Sequence, residues 1–342
     1  MHARCVEEAY VMMPVRHRVA LLAVFILVLT ASCGSVPFPE PEPTGENVYT
    51  IFTYNVNGFD RGWNGSGVRP KEHDRIANIV KTNAVDVLGL NEILNGSASN
   101  GRTHWDVQDF ESALIETGYP MSIFGFTAAT DGYNNIAFFS RYSVMEKSEI
   151  GKNGPTRWTP QATRAVYRYR VTFPGDNQVW FYSCHLKSAS DTAALAQRKS
   201  EAKNLAAYIR RNHTVKTDKI VIYGDMNTNN VADWRAGLPG APQAATGTPG
   251  DCTMDYLELR DGSDPGEYFT ALALEPGESY LKPTFAGSSG FPLDHIVLSP
   301  ALYKKHYVPD SVKVIGKGAM GAAGNPTDHY GVRCELYFYT YD

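Results

Sequence analysis

Residues 219–227 read KIVIYGDMN: an apolar run, Ile220 to Tyr223, stops at Gly224 and is followed at once by an acid, Asp225, and an amide, Asn227. A short run dense in β-branched and aromatic residues reads as a strand. The acid and amide could simply open a turn, which is what both residue types do at strand ends. The choice between a turn and a site depends on whether other strands end the same way.

They do. VYTIFTYNV (48–56) carries Asn55 inside its apolar run, and VDVLGLNEI (85–93) ends on Asn91 and Glu92. VWFYSCHL (179–186) ends on His185, while LDHIVLS (293–299) opens with Asp294 and His295. NPTDHYGVRC (325–334) places Asp328 and His329 just before the last strand, VRCELYFY (332–339). MSIFGF (121–126), NNIAFFSR (134–141) and VYRYRVTF (166–173) are further strands. Between them KEHDRIANIVKTN (71–83), DFESALIETG (109–118) and DTAALAQRKSEAKNLAAYIRRN (191–212) repeat apolar residues at helical spacing. The alternation predicts a layered α/β protein with helices outside a β core. Leu238 to Gly250 reads as a loop inserted in one domain, because strands that need partners follow it.

Singly, each polar residue has a plain structural role as a turn former or a satisfied core side chain. Together, acids, amides and histidines at neighbouring strand ends converge on one rim of a sheet. Such a rim, without cysteine ligands, suits a hard divalent ion: Mg²⁺, with Mn²⁺ or Ca²⁺ as alternatives. Histidines beside a phosphate donate when protonated or take a proton from water when neutral. The pattern points to metal-assisted phosphoester hydrolysis.

The 342 residues carry a formal charge of −4 and 43% hydrophobic residues, which describes a globular protein rather than a disordered one. Residues 13–35, MPVRHRVALLAVFILVLTASCGS, have a basic start, an apolar run too short for a membrane span and a small-residue exit, the marks of an export signal. Taking residues 1–32 as the signal removes three arginines and two glutamates and leaves a formal charge of −5. That balance supplies no long-range pull on a polyanion, so such a substrate would be held by local groups or ions. Thr30, Ala31 and Ser32 before Cys33 resemble a bacterial lipoprotein signal, although Leu29 stands four places before the cysteine rather than three. Lipidation of Cys33, with membrane attachment through it, and ordinary cleavage nearby both stay open. Residues 33–47, rich in Pro and Glu, read as a solvated tether, and 48–342 as the folded domain. Cys184, Cys252 and Cys334 allow one disulfide and a free thiol, or buried thiols throughout.

In their order, TYNVNG, LNEI, HLKS, GDMN, LDHIVLS and TDHYGV resemble the endonuclease/exonuclease/phosphatase superfamily across nearly all of residues 48–342. The resemblance implies a four-layer α/β sandwich, two packed mixed β-sheets flanked by helices, with the site at one end of the strands. It implies Glu92 as principal metal ligand with Asn55 and Asp328 beside it, and Asp225 and Asn227 orienting water or phosphate. It further implies His329, held by Asp294, as general base or phosphate contact, and His185 as a stabiliser of phosphate charge. A carboxylate behind a histidine fixes its tautomer, so Asp294 should matter without touching substrate.

Two departures refine this. The deoxyribonuclease branch has a Tyr and a Glu before the strand matching NNIAFFSR, the Glu supporting the first histidine; here Tyr133 is present but Asn135 stands at the glutamate position, and the resemblance implies both as substrate-binding residues. His185 is therefore expected to act as a phosphate contact rather than a general acid. His295 stands where phosphoinositide phosphatases have arginine, which argues against that substrate and makes His295 a supporting residue.

Substrate identity stays open. The reading favours a monomeric secreted or surface nuclease cleaving DNA or RNA, with Arg157, Arg164 and Arg168 as local phosphate contacts, Arg168 reading equally well as part of the solvated face of its strand. A sphingomyelinase-type phospholipid phosphodiesterase, a phosphomonoesterase and a non-catalytic binding protein on the same fold are the alternatives.

Overall fold

The computed structural model describes residues 45–56, 71–93, 106–126, 135–152, 156–237, 241, 245–272, 292–315 and 329–340. Cys33, Tyr133 and Asp328 lie outside the described residues, as do the signal and most of the tether.

Among the described residues, twelve strands form two six-stranded sheets. The first contains β1 (Gly45–Asn55), β2 (Val85–Ile93), β3 (Ser122–Phe126), β4 (Asn135–Ser140), β11 (Lys313–Ile315) and β12 (Gly331–Thr340), in the order β11-β12-β1-β2-β4-β3. The second contains β5 (Ser143–Ile150), β6 (Val166–Phe173), β7 (Asn177–His185), β8 (Ile220–Asp225), β9 (Thr270–Ala271) and β10 (Asp294–Leu298), in the order β5-β6-β7-β8-β10-β9. Each sheet is built on one central parallel pair, β1 with β2 and β7 with β8, and every other pairing is antiparallel. Both sheets are therefore mixed.

The inner faces pack on each other through Tyr49, Ile51, Val87 and Phe138 from the first sheet and Tyr169, Phe181, Tyr223 and Ile296 from the second. Rings of Phe138 and Tyr169 stack across the gap with centroids 3.7 Å apart. The outer face of the first sheet is covered by α1 (Lys71–Thr82) and α2 (Asp106–Glu116). Their apolar stripes, Ile76, Ala77 and Val80 in one and Val107, Phe110 and Leu114 in the other, fall at helical spacing and join a core with Leu88 and Phe139. The outer face of the second sheet carries α3 (Thr192–Asn212), started by Asp191, whose carboxylate accepts from the Ala194 N–H at 2.9 Å. Two short helices complete the described fold, α4 (Thr253–Leu257) and α5 (Pro300–Lys305). Helix, sheet, sheet, helix is the expected four-layer sandwich.

Differences from expectation have physical reasons. The first strand starts at Gly45, within the expected tether, because Gly45–Asn47 pair with Phe338–Thr340. SVMEKSEI forms β5, an edge strand whose side chains are all exposed or half-buried except Ile150, and hence with no apolar run to read. Cys184, Cys252 and Cys334 are all free and buried, which selects the thiol alternative.

Candidate active site

The site residues meet because of strand direction. β1, β2, β7 and β8 run toward one rim and supply their last residues; β10 and β12 run the other way and supply the residues at their start. Register does the rest: Asn55 is opposite Asn91, His185 opposite Asp225, and Asp225 opposite Asp294.

Two local features aim the carboxylates. In β2 the pairing with β4 slips between Asn91 and Ile93, leaving Glu92 as an extra residue with φ of 57°. A bulge of this kind turns a side chain out of the ladder, here toward the second sheet. In β8, Gly224 has φ of 130°, and a Cβ on it would run into the Cys184 carbonyl oxygen. Only glycine lets β7 and β8 approach so closely, and this brings Asp225 level with His185.

The carboxylates are drawn together by an amide. Asn55 Nδ2 donates to Glu92 Oε1 at 3.1 Å and to Asp225 Oδ2 at 2.9 Å. Asp225 is buried, and its Oδ1 accepts the Asn227 N–H at 2.9 Å. Its pKa is pushed up to about 6, by burial first and by the neighbouring Asp294 charge second. Burial also raises Glu92. Charge repulsion and desolvation of this kind are what a bound cation relieves.

His185 is buried, and among the described residues neither ring nitrogen has a hydrogen-bond partner. Its Nε2 lies 3.7 Å from Glu92 Oε1 and 3.6 Å from Asp225 Oδ2. Burial, then the charges of Arg164 and His329, hold its pKa well below the ordinary histidine value, so these approaches are not ion pairs. His329 Nδ1 is 2.8 Å from Asp294 Oδ2, and its Nε2 faces Asp225 Oδ2 at 3.9 Å. A carboxylate accepting from Nδ1 makes Nε2 the acceptor nitrogen, the form suited to taking a proton.

Ligand atoms of Glu92, His185 and Asp225 lie within 4.8 Å of one another, as do those of Asp225, Asp294 and His329. Oxygen-rich sets with imidazole and no thiolate fit a hard divalent ion, and the unsatisfied Nε2 of buried His185 faces the Glu92 and Asp225 carboxylates there.

Of the remaining expected residues, Asn227 Nδ2 donates to the Leu186 carbonyl at 3.1 Å, and half-buried Arg164 donates to the same oxygen at 2.8 Å through Nη1. Asn135 is buried on β4 and donates to the Ile93 carbonyl at 3.0 Å, bracing the Glu92 bulge. His295 is 2.8 Å from Thr228 Oγ1 and 3.2 Å from the Pro292 carbonyl, a supporting place. Arg168 lies over the Trp180 ring at 3.9 Å and 3.5 Å from Glu146, so its charge is engaged elsewhere. Asn91 is the residue that sequence reasoning noted without giving it a role. It joins the sheets, its Nδ2 donating to the Cys184 carbonyl at 2.9 Å and its Oδ1 accepting the Asp225 N–H at 3.2 Å. An amide directly after the apolar run Val87 to Leu90 was the available signal.

A four-layer sandwich with this rim defines a metal-dependent hydrolase of phosphoester bonds. Residues 52–329 match the Endonuclease/Exonuclease/phosphatase family, and the chain belongs to it. No curated protein sequence matches it. Among solved structures it is similar to D. rerio TDP2 complexed with a single-strand DNA product, at 15% identity and a TM-score of 0.54 over 85% of this chain and 99% of that one. It is similar to the human Nocturnin catalytic domain with bound sulfate, at 13% identity and a TM-score of 0.53 over 88% and 100%. An endonuclease/exonuclease/phosphatase protein from Beutenbergia cavernae DSM 12333 aligns at 16% identity and a TM-score of 0.54 over 84% and 71%. Such likenesses establish a shared fold.

Proposed function

We propose that this protein is an exported phosphodiesterase that hydrolyses nucleic acid with Mg²⁺ or a similar divalent ion. The observation that carries the reading is the convergence of Glu92, Asp225 and unpartnered His185 beside the Asp294–His329 pair. Glu92 would hold the ion, with Asn55 and Asp328 as further ligands. When bound, a divalent ion neutralises charge that develops on the phosphate oxygens and lowers the pKa of water. His329, oriented by Asp294, accepts a proton from the attacking water at Nε2. Asp225 and Asn227 orient water and phosphate. Neutral His185 and the Arg164 guanidinium contact phosphate oxygens; burial, then the Arg164 and His329 charges, disfavour the protonated His185 that a general acid would need.

Nucleic acid is favoured because a structure of similar fold holds a single-strand DNA product. Export rests on the basic start, apolar run and small-residue exit of residues 1–32, and surface attachment on Cys33. The folded unit is proposed to act as a monomer.

Purified protein offered plasmid DNA, RNA, sphingomyelin and a soluble phosphomonoester with Mg²⁺, Mn²⁺ or Ca²⁺ tests this. Nuclease action that stops with chelator and with His329→Ala is the expected result. Release from the lipid or monoester alone would move the substrate assignment. Silence on all substrates would sink the catalytic reading.

A further inference from the structure

Helix α3 buries two charged residues one turn apart, Arg198 and Glu201, at 0% and 2% exposure. A helix on the outside of a sheet has no need of buried charge, and burying an ion is unfavourable unless its hydrogen bonds are all satisfied. Those of Arg198 are. Its Nε and Nη2 grip Asp233 at 2.9 and 2.7 Å, and Nη2 also donates to Asn229 Oδ1 at 3.3 Å. Its Nη1 donates to the carbonyls of Lys187 at 2.8 Å and Ala189 at 3.0 Å. Asp233 also accepts the Thr253 hydroxyl at 2.6 Å and the Asn230 N–H at 3.0 Å. Glu201 accepts the Lys187 N–H at 2.8 Å through Oε2 and the Thr163 N–H at 2.6 Å through Oε1.

The partners are not scattered. Lys187 is two residues beyond His185, Asn229 two beyond Asn227, and Thr163 is next to Arg164. Lys187 is held at both its N–H and its carbonyl. Two residues of these loops have left-handed backbones without being glycine, Ala189 at φ 80° and Asn227 at φ 50°. Such conformations persist only where surrounding contacts over-determine them. The three loops also meet directly, since the Leu186 carbonyl accepts from both Arg164 and Asn227.

Resting on the reading of this rim as a phosphoester-hydrolysing site, we propose that Arg198 and Glu201 are positioning residues. From outside the second sheet they set the spacing of His185, Asn227 and Arg164 around the reacting phosphate. They touch no substrate themselves; they fix the loops that do.

The test uses the full chain with Arg198→Lys and Glu201→Gln, each also combined with His185→Ala. Lysine keeps the charge but cannot make the five donations with which Arg198 ties the Lys187–Ala189 loop to Asn229 and Asp233, and a glutamine amide cannot accept two N–H groups, one on each arm, as the Glu201 carboxylate does. Misplacing a catalytic group by about 1 Å costs on the order of 100-fold in rate. Well below each variant's Tm, kcat should fall about 10- to 100-fold with KM within about three-fold of the parent. In the His185→Ala background the same substitutions should cost several-fold less, because part of what they position is gone. Folded variants with parental kcat, or with losses that add fully to that of His185→Ala, would overturn the inference while leaving the site reading intact. Should Arg198→Lys not fold, Glu201→Gln decides alone. A parent without turnover on any phosphoester would overturn the site reading itself, and this inference with it.

Discussion

Asp294 lies behind His329 rather than in the open part of the site, buried, its Oδ2 2.8 Å from Nδ1. Its effect is on which nitrogen carries the proton. An asparagine in its place can present an NH₂ to Nδ1, which would turn Nδ1 into the acceptor and leave Nε2 protonated, the wrong tautomer for taking a proton from water. Asp294→Asn should therefore lower kcat by about 10²- to 10⁴-fold, the range general base catalysis contributes, with KM and Tm little changed. Steady-state kinetics with a thermal melt checks this; a variant within about three-fold of the parent would mean that His329 does not work as the base. The Asp294–His329 pairing was legible as a resemblance because both residues sit at the starts of strongly apolar strands. The bulge that aims Glu92 was not, since VDVLGLNEI reads equally well as an unbroken ladder.

At the scale of elements, the close contact of β7 and β8 turns on Gly224. Alanine there meets a positive φ of 130° and places its Cβ against the Cys184 carbonyl oxygen. A strained dihedral alone costs on the order of 1–3 kcal/mol, and the clash requires backbone movement besides. Gly224→Ala should lower the unfolding free energy by at least that much and separate Asp225 from His185. A denaturant titration reads the first, and loss of turnover in the fraction that remains folded reads the second. An unchanged midpoint would show that the strand pair can relax. The GDMN turn was readable because a glycine between an apolar run and an acid has few other uses. Helix α3 was only half readable. Its apolar spacing predicted a helix, but QRKSEAK reads as a solvated face, and nothing local says that Arg198 and Glu201 point inward. That follows only from the tertiary placement of the loops carrying Lys187, Asn229 and Thr163. Strand β5 was hidden for the opposite reason: an exposed edge strand needs no apolar pattern.

Across the whole molecule, burial pushes the proton affinities of histidines and carboxylates in opposite directions, and each group so shifted contributes to acid stability. His306 is brought down to about 4 by burial, with the Lys219 charge next, and His295 is brought down to about 4 by burial. Unfolded, both titrate at about 6.5. Between those values the unfolded chain binds protons that the folded one refuses, so these histidines contribute stability above about pH 6.5 that is lost as pH falls toward 4. Glu258 works the other way. Burial raises it above the ordinary carboxylate value, so the folded state binds its proton first and gains stability as pH falls through that window. These opposed slopes make the absolute melting curve a poor test and the difference between variants a good one. His306→Gln removes a loss, so its Tm should drop less than the parent's between pH 7 and 4.5. Glu258→Gln removes a gain, so its Tm should drop more. Both lie away from the catalytic rim, and melts with and without a divalent ion should give the same two differences. Parallel curves for all three proteins would mean that neither group is held out of water in solution, and that the acid response belongs to the carboxylates of the rim.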